Sequence, residues 1–385
     1  MSDPWPMLSE EERLFCDVLE RLCAEKIAPL AAGTDEASRF VHDQLATLGA
    51  AGMMGANLPE EYGGGGISAP ALLRAVAIVA GACGSTASAL TAHYLATDSI
   101  LIGGTEAQRQ AYLPAAAEGR ALGAFALTEP TAGSDPADMK TRARRTEGGW
   151  HLEGAKCFIS NGGVADFLVV YAVTDPGKAH RGISAFIVPK ATPGLSAGSP
   201  ERTMGLKGGH VFTLALDCRL PEDALLGGTE GQGFRTAMQV LDNGRIEVAA
   251  QCLGLAEAAM TTAVAYARDR VIGGQPLTDR QAIRFMIADM GLALQTARLL
   301  AQDAARQRDA ARHGGTRFSL AASMAKLHAS EAAGRIADTA LQLLGGYGYT
   351  RDFPVERIAR DLRIMRIYEG SSEIQRSIIS AQLLA

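Results

Sequence analysis

The sequence predicts an α+β protein with three parts, in the order α, β, α. We expect an N-terminal all-α domain at residues 1–120, a middle antiparallel β-domain at 121–228 and a C-terminal four-helix bundle at 229–385. Two changes in hydrophobic periodicity support this division. The first part repeats apolar residues at helical spacing, the middle part has short alternating runs bounded by Gly, Pro, Asn or Asp, and helical spacing returns from Gly231 onward.

The composition is that of an ordinary globular protein, with 47% hydrophobic and 21% charged residues and a net charge of −5. No Lys/Arg cluster of the kind that binds nucleic acid occurs, so nucleic acid is not an expected partner. The N-terminal 15 residues are acidic and contain Pro, unlike a signal or transit peptide. No uninterrupted apolar run reaches the roughly 18 residues that span a bilayer. We therefore expect a cytoplasmic protein without membrane contact.

The 6 cysteines are scattered without a C-x-x-C pair or a histidine at metal-binding spacing. We expect them to be reduced, mostly buried thiols, and we expect no metal site.

In the N-terminal part, Ser9 and Glu12 have the spacing of a capping box, which predicts the start of the first helix. Helical recurrence continues over 71–79 and again around 89–102. A glycine-rich loop at 62–66 lacks the Gly-Lys-Ser/Thr ending of a phosphate-binding loop, so we interpret it as a flexible connector.

The middle part contains five candidate strands without intervening helices, which favours an antiparallel β-domain. They are Ala121–Leu127, Trp150–Ser160, Phe167–Val173, Ile183–Pro189 and Val211–Leu216.

A match to the serine-hydrolase elbow, G-x-S-x-G, occurs at 194–198. That elbow needs a strand before it and a helix after it, whereas Pro193 precedes this match and Pro200 follows it. We therefore do not expect a catalytic serine here.

A turn rich in hydroxyl groups follows the first candidate strand, at 125–135 (FALTEPTAGSD). Its hydroxyls and exposed backbone amides form a surface that could bind a polar planar group together with a phosphate oxygen. The same composition also suits a turn that only satisfies its own hydrogen bonds.

Near the C-terminus, apolar residues recur at helical spacing from Val355 to Met365 and stop before Gly370. A second helix is expected from Ser372, because Ser372 and Gln375 fit a capping box. Glu369 then lies at the corner between two helices, beside a glycine that lets a ligand approach the backbone. A carboxylate in this position could remove a proton from a bound molecule, although an isolated acid in a charged helix is by itself a weak indication.

Three motifs in this order resemble those of the acyl-CoA dehydrogenases. The run at 125–135 is similar to the first signature of that family, RIYEGSSEIQR at 366–376 to the second, and QLLGGYGY at 342–349 to the glycine-rich turn between them. The resemblance covers nearly the whole chain and implies an acyl-CoA dehydrogenase-like fold with FAD between the β-domain and the C-terminal bundle.

The resemblance also implies site residues. Those assigned to FAD are Phe125, Leu127, Thr128, Ser134, Phe158, Ser160, Arg270, Gln342, Gly345, Gly346, Ser371 and Glu373. Those assigned to the acyl-CoA are Ser134, Asp242, Arg245, Tyr368 and Gly370. Arg270, Gln342, Gly345 and Gly346 would act across a subunit interface, so the resemblance implies at least a dimer and favours a homotetramer.

The chain departs from the family pattern at three places. Phe158 stands where a tryptophan is usual, so an indole N–H is missing. Gly273 replaces an aromatic residue near the cross-subunit FAD contact. The Gly208–His210 segment differs in a region that reaches toward CoA.

By the resemblance, Glu369 removes the α-proton of the thioester, its own N–H and a flavin ribityl hydroxyl hold the thioester oxygen, and flavin N5 accepts the β-hydride. Some family members carry the base on the helix before Arg245, at the position of Gly244. Because Gly244 has no carboxylate, Glu369 is the consistent choice. The acyl pocket is expected near Thr91–Leu95, where His93 is either a polar pocket residue or a structural one.

The expected function is FAD-dependent oxidation of an acyl-CoA to a trans-2-enoyl-CoA, with an electron-transferring flavoprotein as acceptor. The alternatives are an acyl-CoA oxidase, a non-oxidative lyase that eliminates a β-substituent, and a non-catalytic acyl-CoA-binding scaffold. The retained carboxylate of Glu369 argues against the scaffold. A short, branched or cyclic acyl group is favoured over a very long one.

Overall fold

The computed structural model describes residues 5–312 and 317–385. Six α-helices form the N-terminal part of the protein. They are α1 (Glu10–Leu22), α2 (Ala31–Ala37), α3 (His42–Ala50), α4 (Ala69–Ala82), α5 (Gly84–Gly103) and α6 (Glu106–Ala117). The capping box predicted at the start of α1 is confirmed, since Glu12 N–H donates to Ser9 Oγ and Ser9 N–H donates to the Glu12 carboxylate.

Helix α5 is the central helix of the protein. All of its residues from Gly84 to Ile100 are buried, which is the pattern of a helix that is covered on every side. Its first half packs in the helical core and its second half packs against the β-domain. The glycine-rich loop before α4 is also packed rather than a loose connector, since Gly64 N–H donates to Pro59 O and Gly66 N–H to Leu58 O.

Seven strands form one sheet in the middle part, in the order β1-β4-β2-β3-β7-β6, with β5 paired to β4. The strands are β1 (Gly123–Ala126), β2 (Arg142–Thr146), β3 (Gly149–Ser160), β4 (Phe167–Val173), β5 (Ile183–Pro189), β6 (Leu195–Ala197) and β7 (Val211–Pro221). The pairings are antiparallel, except that β1 and β2 run parallel to β4.

Two of these strands, β2 and β6, were not predicted from the sequence. Strand β2 reads RARRT and has one buried residue, so it lacks the apolar alternation on which the prediction depends. Strand β6 occupies the G-x-S-x-G match and pairs with β7. No helix follows β6 among the described residues before β7, so the local structure differs from a nucleophile elbow, as expected.

The C-terminal part contains three long helices, α7 (Gly233–Asp269), α8 (Gln281–Arg312) and α9 (Ser319–Leu344). A short hairpin of β8 (Val271–Ile272) and β9 (Gln275–Pro276) links α7 to α8. Two shorter helices, α10 (Val355–Leu362) and α11 (Ser372–Leu383), complete the chain and pack on α9. The side chains of α4, α5, α7, α9 and α10 share one hydrophobic core, which brings α5 and α7 side by side.

Helix α7 is long and apolar enough, by length and composition, to cross a membrane, and it is the one such helix in the described part of the chain. About 61% of its most apolar 18-residue window is buried against other parts of the protein. A core helix of a folded protein has the same properties, so this helix is weak evidence of a membrane span. The sequence prediction counted only uninterrupted apolar runs and therefore did not single it out.

Candidate active site

Glu369 lies at a corner between α10 and α11, as the sequence predicts. Helix α10 ends at Leu362, a short 3₁₀ turn covers Ile364–Arg366, and α11 begins at Ser372. Glu369 has a φ of 52°, in the left-handed region that non-glycine residues rarely occupy, and Gly370 has a φ of 90°. Such conformations cost roughly 1–3 kcal/mol at a non-glycine residue and persist only where the surroundings hold them.

Two buried side chains hold this corner. Lys326 Nζ donates to the carbonyl of Gly370 at 2.6 Å, and Gln375 Nε2 donates to the carbonyls of Glu369 and Gly370 at 3.1 Å each. Gln375 therefore does not form the predicted capping box. The N-cap is Ser371, one residue earlier than predicted, and its Oγ accepts from Ile374 N–H. The capping rule failed because the side chain of Gln375 satisfies the strained corner instead.

The carboxylate of Glu369 lies between α5 and α7. A methyl carbon added to Gly244 of α7 would lie 2.2 Å from Oε2 of Glu369 and 2.8 Å from Cδ2 of Leu95 in α5. Oε2 is buried and has no hydrogen-bond partner in residues 5–312 and 317–385. Burial raises the pKa of Glu369 to about 7, although the positive charges of Lys326 and Arg245 lower it.

Asp242 and Arg245 form an ion pair one helical turn apart on α7, and Ser319 Oγ donates to the same aspartate. The pKa of Asp242 is raised because burial outweighs the effect of Arg245. The Asp242–Arg245 pair and Glu369 are close enough to interact electrostatically, since Arg245 affects the pKa of Glu369. The structure thus brings together Asp242, Arg245, Glu369 and Gly370 at the junction of α7 with the corner.

Tyr368 contacts the same face of α7 as Glu369 does, about two helical turns further along the helix. Its hydroxyl donates to Gln251 Oε1 at 3.4 Å, and Gln251 Nε2 donates to Thr91 Oγ1 at 3.1 Å. This chain of hydrogen bonds joins the corner to α7 and α5. Gln251 was not found in the sequence, where it is one polar residue within an apolar helical stripe and carries no signal of its own.

A buried ion pair fixes the hydroxyl-rich turn after β1. Lys156 and Glu129 are 0% and 4% exposed, and Nζ lies 2.8 Å from Oε1. Glu129 also accepts from the N–H groups of Lys140 and Thr141, and Lys156 donates to the carbonyl of Leu127. Burial lowers the pKa of Lys156 to about 8. Neither residue was selected as a site residue from the sequence, because Lys156 and Glu129 are distant in sequence and meet only through the sheet.

A β-bulge between Lys156 and Ile159 places Phe158 on the surface. Phe158 has a φ of 55° and is 67% exposed, although its neighbours in β3 are buried. Large aromatic side chains with this exposure on a bulged strand are candidates for ligand contact, because bulges redirect side chains next to binding sites. Ser160 follows at the end of β3 and is half-buried.

A cavity of about 510 Å³ lies at the end of α9 and contains Arg270, Gly345 and Gly346. The Arg270 guanidinium lies 6.0 Å from the ring centre of Tyr347, which also lines the cavity. A methyl carbon added to Gly345 or Gly346 would meet no atom within 4 Å, so the backbone here is open to a ligand. Gln342 is exposed and is not among the lining residues of this cavity.

The remaining predicted residues fall into two groups. Phe125 is half-buried and packs against Tyr171, with ring centres 5.1 Å apart, beside Leu127 and Thr128 at the end of β1. Ser134 and Glu373 are exposed, in the turn after β1 and in the first turn of α11. The structure therefore does not bring Ser134 or Glu373 into the buried junction around Glu369.

His93 has a structural contact in this protein. It is fully buried, and its Nδ1 accepts from Gly123 N–H at 2.9 Å, which ties α5 to β1. Burial lowers its pKa to about 4, so the ring is neutral at physiological pH. This contact favours the structural interpretation of the two that the sequence left open.

These features allow proton abstraction in a site that excludes water. A buried carboxyl group with a pKa near 7 has the basicity that general-base catalysis requires, and its unpartnered Oε2 is available to a ligand. Among the described residues, no group of three or more His, Cys, Asp or Glu side chains could hold a metal ion. All six cysteines are free and buried.

Three family models match the chain in the order of its parts. They are the N-terminal domain of acyl-CoA dehydrogenase at residues 9–120, the middle domain at 124–217 and the C-terminal domain at 231–384. The short-chain specific acyl-CoA dehydrogenase of Clostridium acetobutylicum is 40% identical over 378 residues, which are 98% of each chain.

Solved structures show the same fold. The chain is 38% identical to butyryl-CoA dehydrogenase from Megasphaera elsdenii, with a TM-score of 0.94 over 98% of this chain and 99% of that one. A chain in a structure of the electron transferring flavoprotein of Acidaminococcus fermentans is 40% identical, with a TM-score of 0.95 over 98% of both chains. A glutaryl-CoA dehydrogenase from Mycobacterium smegmatis, in complex with FADH2, is 32% identical, with a TM-score of 0.91 over 98% and 95% of the chains. On these matches the protein belongs to the acyl-CoA dehydrogenase family of FAD-dependent oxidoreductases.

Proposed function

We propose that this protein oxidises an acyl-CoA thioester to the trans-2-enoyl-CoA, with Glu369 as the base that removes the α-proton. The observation that carries the proposal is the Glu369 carboxyl group, whose Oε2 is buried and unpartnered and whose pKa is raised to about 7. A general base is most effective when its pKa is close to the working pH. Its neighbours Gly244 and Leu95 have no polar side-chain atoms and offer no competing proton donor.

The thioester oxygen needs a hydrogen-bond donor as negative charge develops on it. The N–H of Glu369 donates to no protein acceptor within the described residues, and the left-handed conformation of this residue turns the amide out of the helical ladder. We assign this N–H to the thioester oxygen. Glu369 then supplies both the base and a hydrogen-bond donor for the oxyanion. The hydrogen bonds of Gln375 and Lys326 to the corner hold its carboxylate and its N–H in fixed positions relative to each other.

The chain has residues that fit FAD at two places. Phe158, exposed on its bulge, offers a flat apolar face for a flavin ring. Arg270 and the open backbone at Gly345 and Gly346 suit a pyrophosphate, because a guanidinium pairs strongly with phosphate oxygens. Bound FAD supplies a hydride acceptor for the β-carbon at its N5 atom.

In the assignment by resemblance, Arg270, Gly345 and Gly346 act across a subunit interface, whereas Phe158 acts within its own subunit, so a second subunit would complete each site. We propose a homotetramer in the cytoplasm that passes electrons to an electron-transferring flavoprotein. The similarity to a chain in a structure of such a flavoprotein supports the last point.

The proposed function is tested by anaerobic titration of the purified, FAD-loaded protein with saturated acyl-CoAs of increasing length. Loss of the visible absorption of oxidised flavin, together with formation of the 2-enoyl-CoA, is the expected result. A yellow protein that no saturated acyl-CoA bleaches would contradict the proposal. It would favour non-oxidative elimination from a β-substituted thioester, and rapid re-oxidation by air in the absence of the flavoprotein would favour an oxidase.

A further inference from the structure

Glu247 is a buried carboxyl group that the proposed reaction does not use. It lies on α7 and is 2% exposed, and neither of its carboxylate oxygens has a hydrogen-bond partner among the described residues. Burial raises its pKa well above the usual range. A buried polar group without a partner is costly, and native structures satisfy the great majority of such groups. Glu247 therefore calls for a partner that residues 5–312 and 317–385 do not provide.

Glu247 faces the candidate active site. Gly244, Glu247 and Gln251 are spaced three and seven residues apart, so they lie on one face of α7. Gly244 touches the carboxylate of Glu369, and Gln251 contacts the hydroxyl of Tyr368. Glu247 lies between these two contacts, one helical turn beyond Gly244. The negative charge of Glu369 is also one of the causes that raise the pKa of Glu247.

Helix α5 runs antiparallel to α7 beside this face, since Thr91 contacts Gln251 and Asp98 contacts Asn243. Leu95 of α5 lies beside Gly244. Asp98 accepts from Asn243 Nδ2 at 2.7 Å and so lies toward the N-terminal end of α7, whereas Glu247 lies toward Gln251. An acyl chain that extends from Glu369 along α7 toward Gln251 would therefore meet the carboxyl group of Glu247.

A purely structural ion-pair network would be the simpler explanation of these acids. Arg308 of α8 lies 4.0 Å from Asp98 Oδ2 and 4.0 Å from Glu247 Oε1, which is too long for a hydrogen bond to either. Asp98 has other donors, since Asn57 and Asn243 each donate to it at 2.7 Å. Glu247 has no donor within the part of the chain that the structure describes, although the charges of Arg308 and Arg312 act on it at longer range. What Glu247 lacks is therefore a hydrogen-bond donor rather than a counter-charge.

We propose that Glu247 recognises a hydrogen-bond donor, either a hydroxyl or a protonated amine, at the distal end of the substrate's acyl chain. Three residues of helix rise about 4.5 Å, which is the reach of three to four extended carbon–carbon bonds from the α-carbon, so the donor is expected near the fifth carbon. The proposal rests on the proposed dehydrogenation, because it places the α-carbon beside Glu369. It makes Glu247 a specificity residue and not a catalytic one.

The test uses four CoA thioesters with the same five-carbon chain and different ends: valeryl-CoA, 5-hydroxyvaleryl-CoA, 5-aminovaleryl-CoA and glutaryl-CoA. We measure kcat/KM for each with the FAD-loaded protein, and Kd from the anaerobic flavin spectrum. A hydrogen bond to a buried carboxylate is expected to favour the hydroxyl or the amino compound over valeryl-CoA by about 10–100-fold. The better of these two identifies the donor. Preference for glutaryl-CoA would overturn the proposal, since it would assign the site to Arg308.

Two variants separate recognition from a structural role. Glu247→Gln keeps the volume of the side chain, and Glu247→Leu removes its polarity. Glu247→Leu is expected to reduce the preference over valeryl-CoA to within about 3-fold, mainly through KM for the polar substrate. Glu247→Gln keeps an oxygen that accepts from a hydroxyl group but cannot carry a charge, so it is expected to reduce mainly the preference for the amino compound. The control is Glu257→Gln on the same helix, where the carboxylate is 41% exposed and pairs with Arg74 and Arg298. This control is expected to retain the preference of the unmodified protein.

The outcomes also distinguish this proposal from the proposed function. If valeryl-CoA bleaches the flavin but the hydroxyl and amino compounds show no advantage, the recognition by Glu247 is wrong and the dehydrogenation stands. If none of the four compounds bleaches the flavin and saturated acyl-CoAs of other lengths also fail, the proposed function is wrong. A preference that survives in Glu247→Gln and Glu247→Leu would likewise contradict the role of Glu247, even if both variants have lower thermal stability.

Discussion

Gly244 leaves the space that the carboxylate of Glu369 occupies. A methyl carbon at position 244 would lie 2.2 Å from Oε2, well inside van der Waals contact. A glycine in the interior of a helix costs about 1 kcal/mol relative to alanine, so the protein accepts lower helix stability at this position. The contact gives a physical reason why position 244 carries no carboxylate side chain when position 369 carries one.

Substitution of Gly244 by alanine is expected to displace the Glu369 carboxylate. Because small displacements of a catalytic group can cost about 100-fold in rate, we expect a decrease in kcat/KM of that order, without loss of FAD. The measurement is steady-state turnover with the best acyl-CoA. The control is Gly291→Ala in α8, where the added carbon would meet only Met260 Cε at 3.6 Å. Equal activity of the two variants would show that the Gly244–Glu369 contact is not needed.

Glu369→Gln is expected to retain FAD and to lower dehydrogenation by about 10²–10⁴-fold, the usual contribution of a general base. The pKa of Glu369 is raised to about 7, so the group is protonated and inactive below this pH and becomes a base above it. We therefore expect kcat/KM of the unmodified protein to rise with pH through about 7. Near-normal turnover of the variant, or a flat profile through neutral pH, would contradict the assignment.

Loss of one partner of the buried pair between Lys156 and Glu129 is expected to destabilise the β-domain. Lys156→Met leaves a buried carboxylate uncompensated, which costs about 3–5 kcal/mol of unfolding free energy. The control is Arg144→Met, which breaks the exposed Arg144–Glu153 pair and should cost about 0–1 kcal/mol. Urea denaturation measures both. A similar, small decrease in unfolding free energy for the two variants would show that the buried pair is not required for the stability of the β-domain.

Phe158→Ala is expected to weaken FAD binding and to leave the stability of the apoprotein within about 0.5 kcal/mol, because the ring is already 67% exposed. Phe158→Trp keeps a flat aromatic face and is expected to bind FAD at least as well as the unmodified protein. Fluorescence titration of the apoprotein with FAD gives both affinities. Unchanged affinity in the alanine variant would place the flavin elsewhere.

Arg270→Ala is expected to reduce FAD affinity by about 1.5–3 kcal/mol, the value of a charge-assisted hydrogen bond. The matched control is Arg268→Ala, two residues earlier in the last turn of α7 and outside the cavity that Arg270 lines. Because the proposed contact crosses a subunit interface, FAD affinity should also fall when the protein is diluted to monomers. Sedimentation velocity with absorbance detection of the flavin measures the FAD bound by each variant and by the diluted protein. An equal loss of FAD affinity in Arg268→Ala would contradict the assignment.

Much of the architecture followed from local sequence patterns. Helical periodicity and strand-like runs predicted the order α, β, α. The three motifs led to the family, because each motif is a short segment that can be recognised from residues adjacent in sequence. The same reasoning correctly found the start of α1 and the corner at Glu369. It placed the N-cap of α11 at Ser372, one residue too late, because Gln375 bonds to the corner and not to the cap.

Tertiary structure alone decided what surrounds the site. Two of its contacts join residues that are far apart in sequence: Lys156 and Glu129 are separated by 27 positions, and Gly244 and Glu369 by 125. Contacts over such separations cannot be predicted from hydrophobic periodicity, which depends on neighbouring residues. Whether a polar residue on an apolar helix is satisfied also depends on its neighbours in space. The carboxylate of Asp98 accepts from Asn57 and Asn243, whereas the carboxylate of Glu247 bonds to nothing in the described chain. The sequence by itself therefore determined the fold class and led to Glu369 as the proposed base, because the fold class follows from local periodicity and Glu369 lies in a local motif. The basicity of that carboxylate and the polarity around it were decided by packing, because burial and hydrogen bonding arise only when distant segments meet.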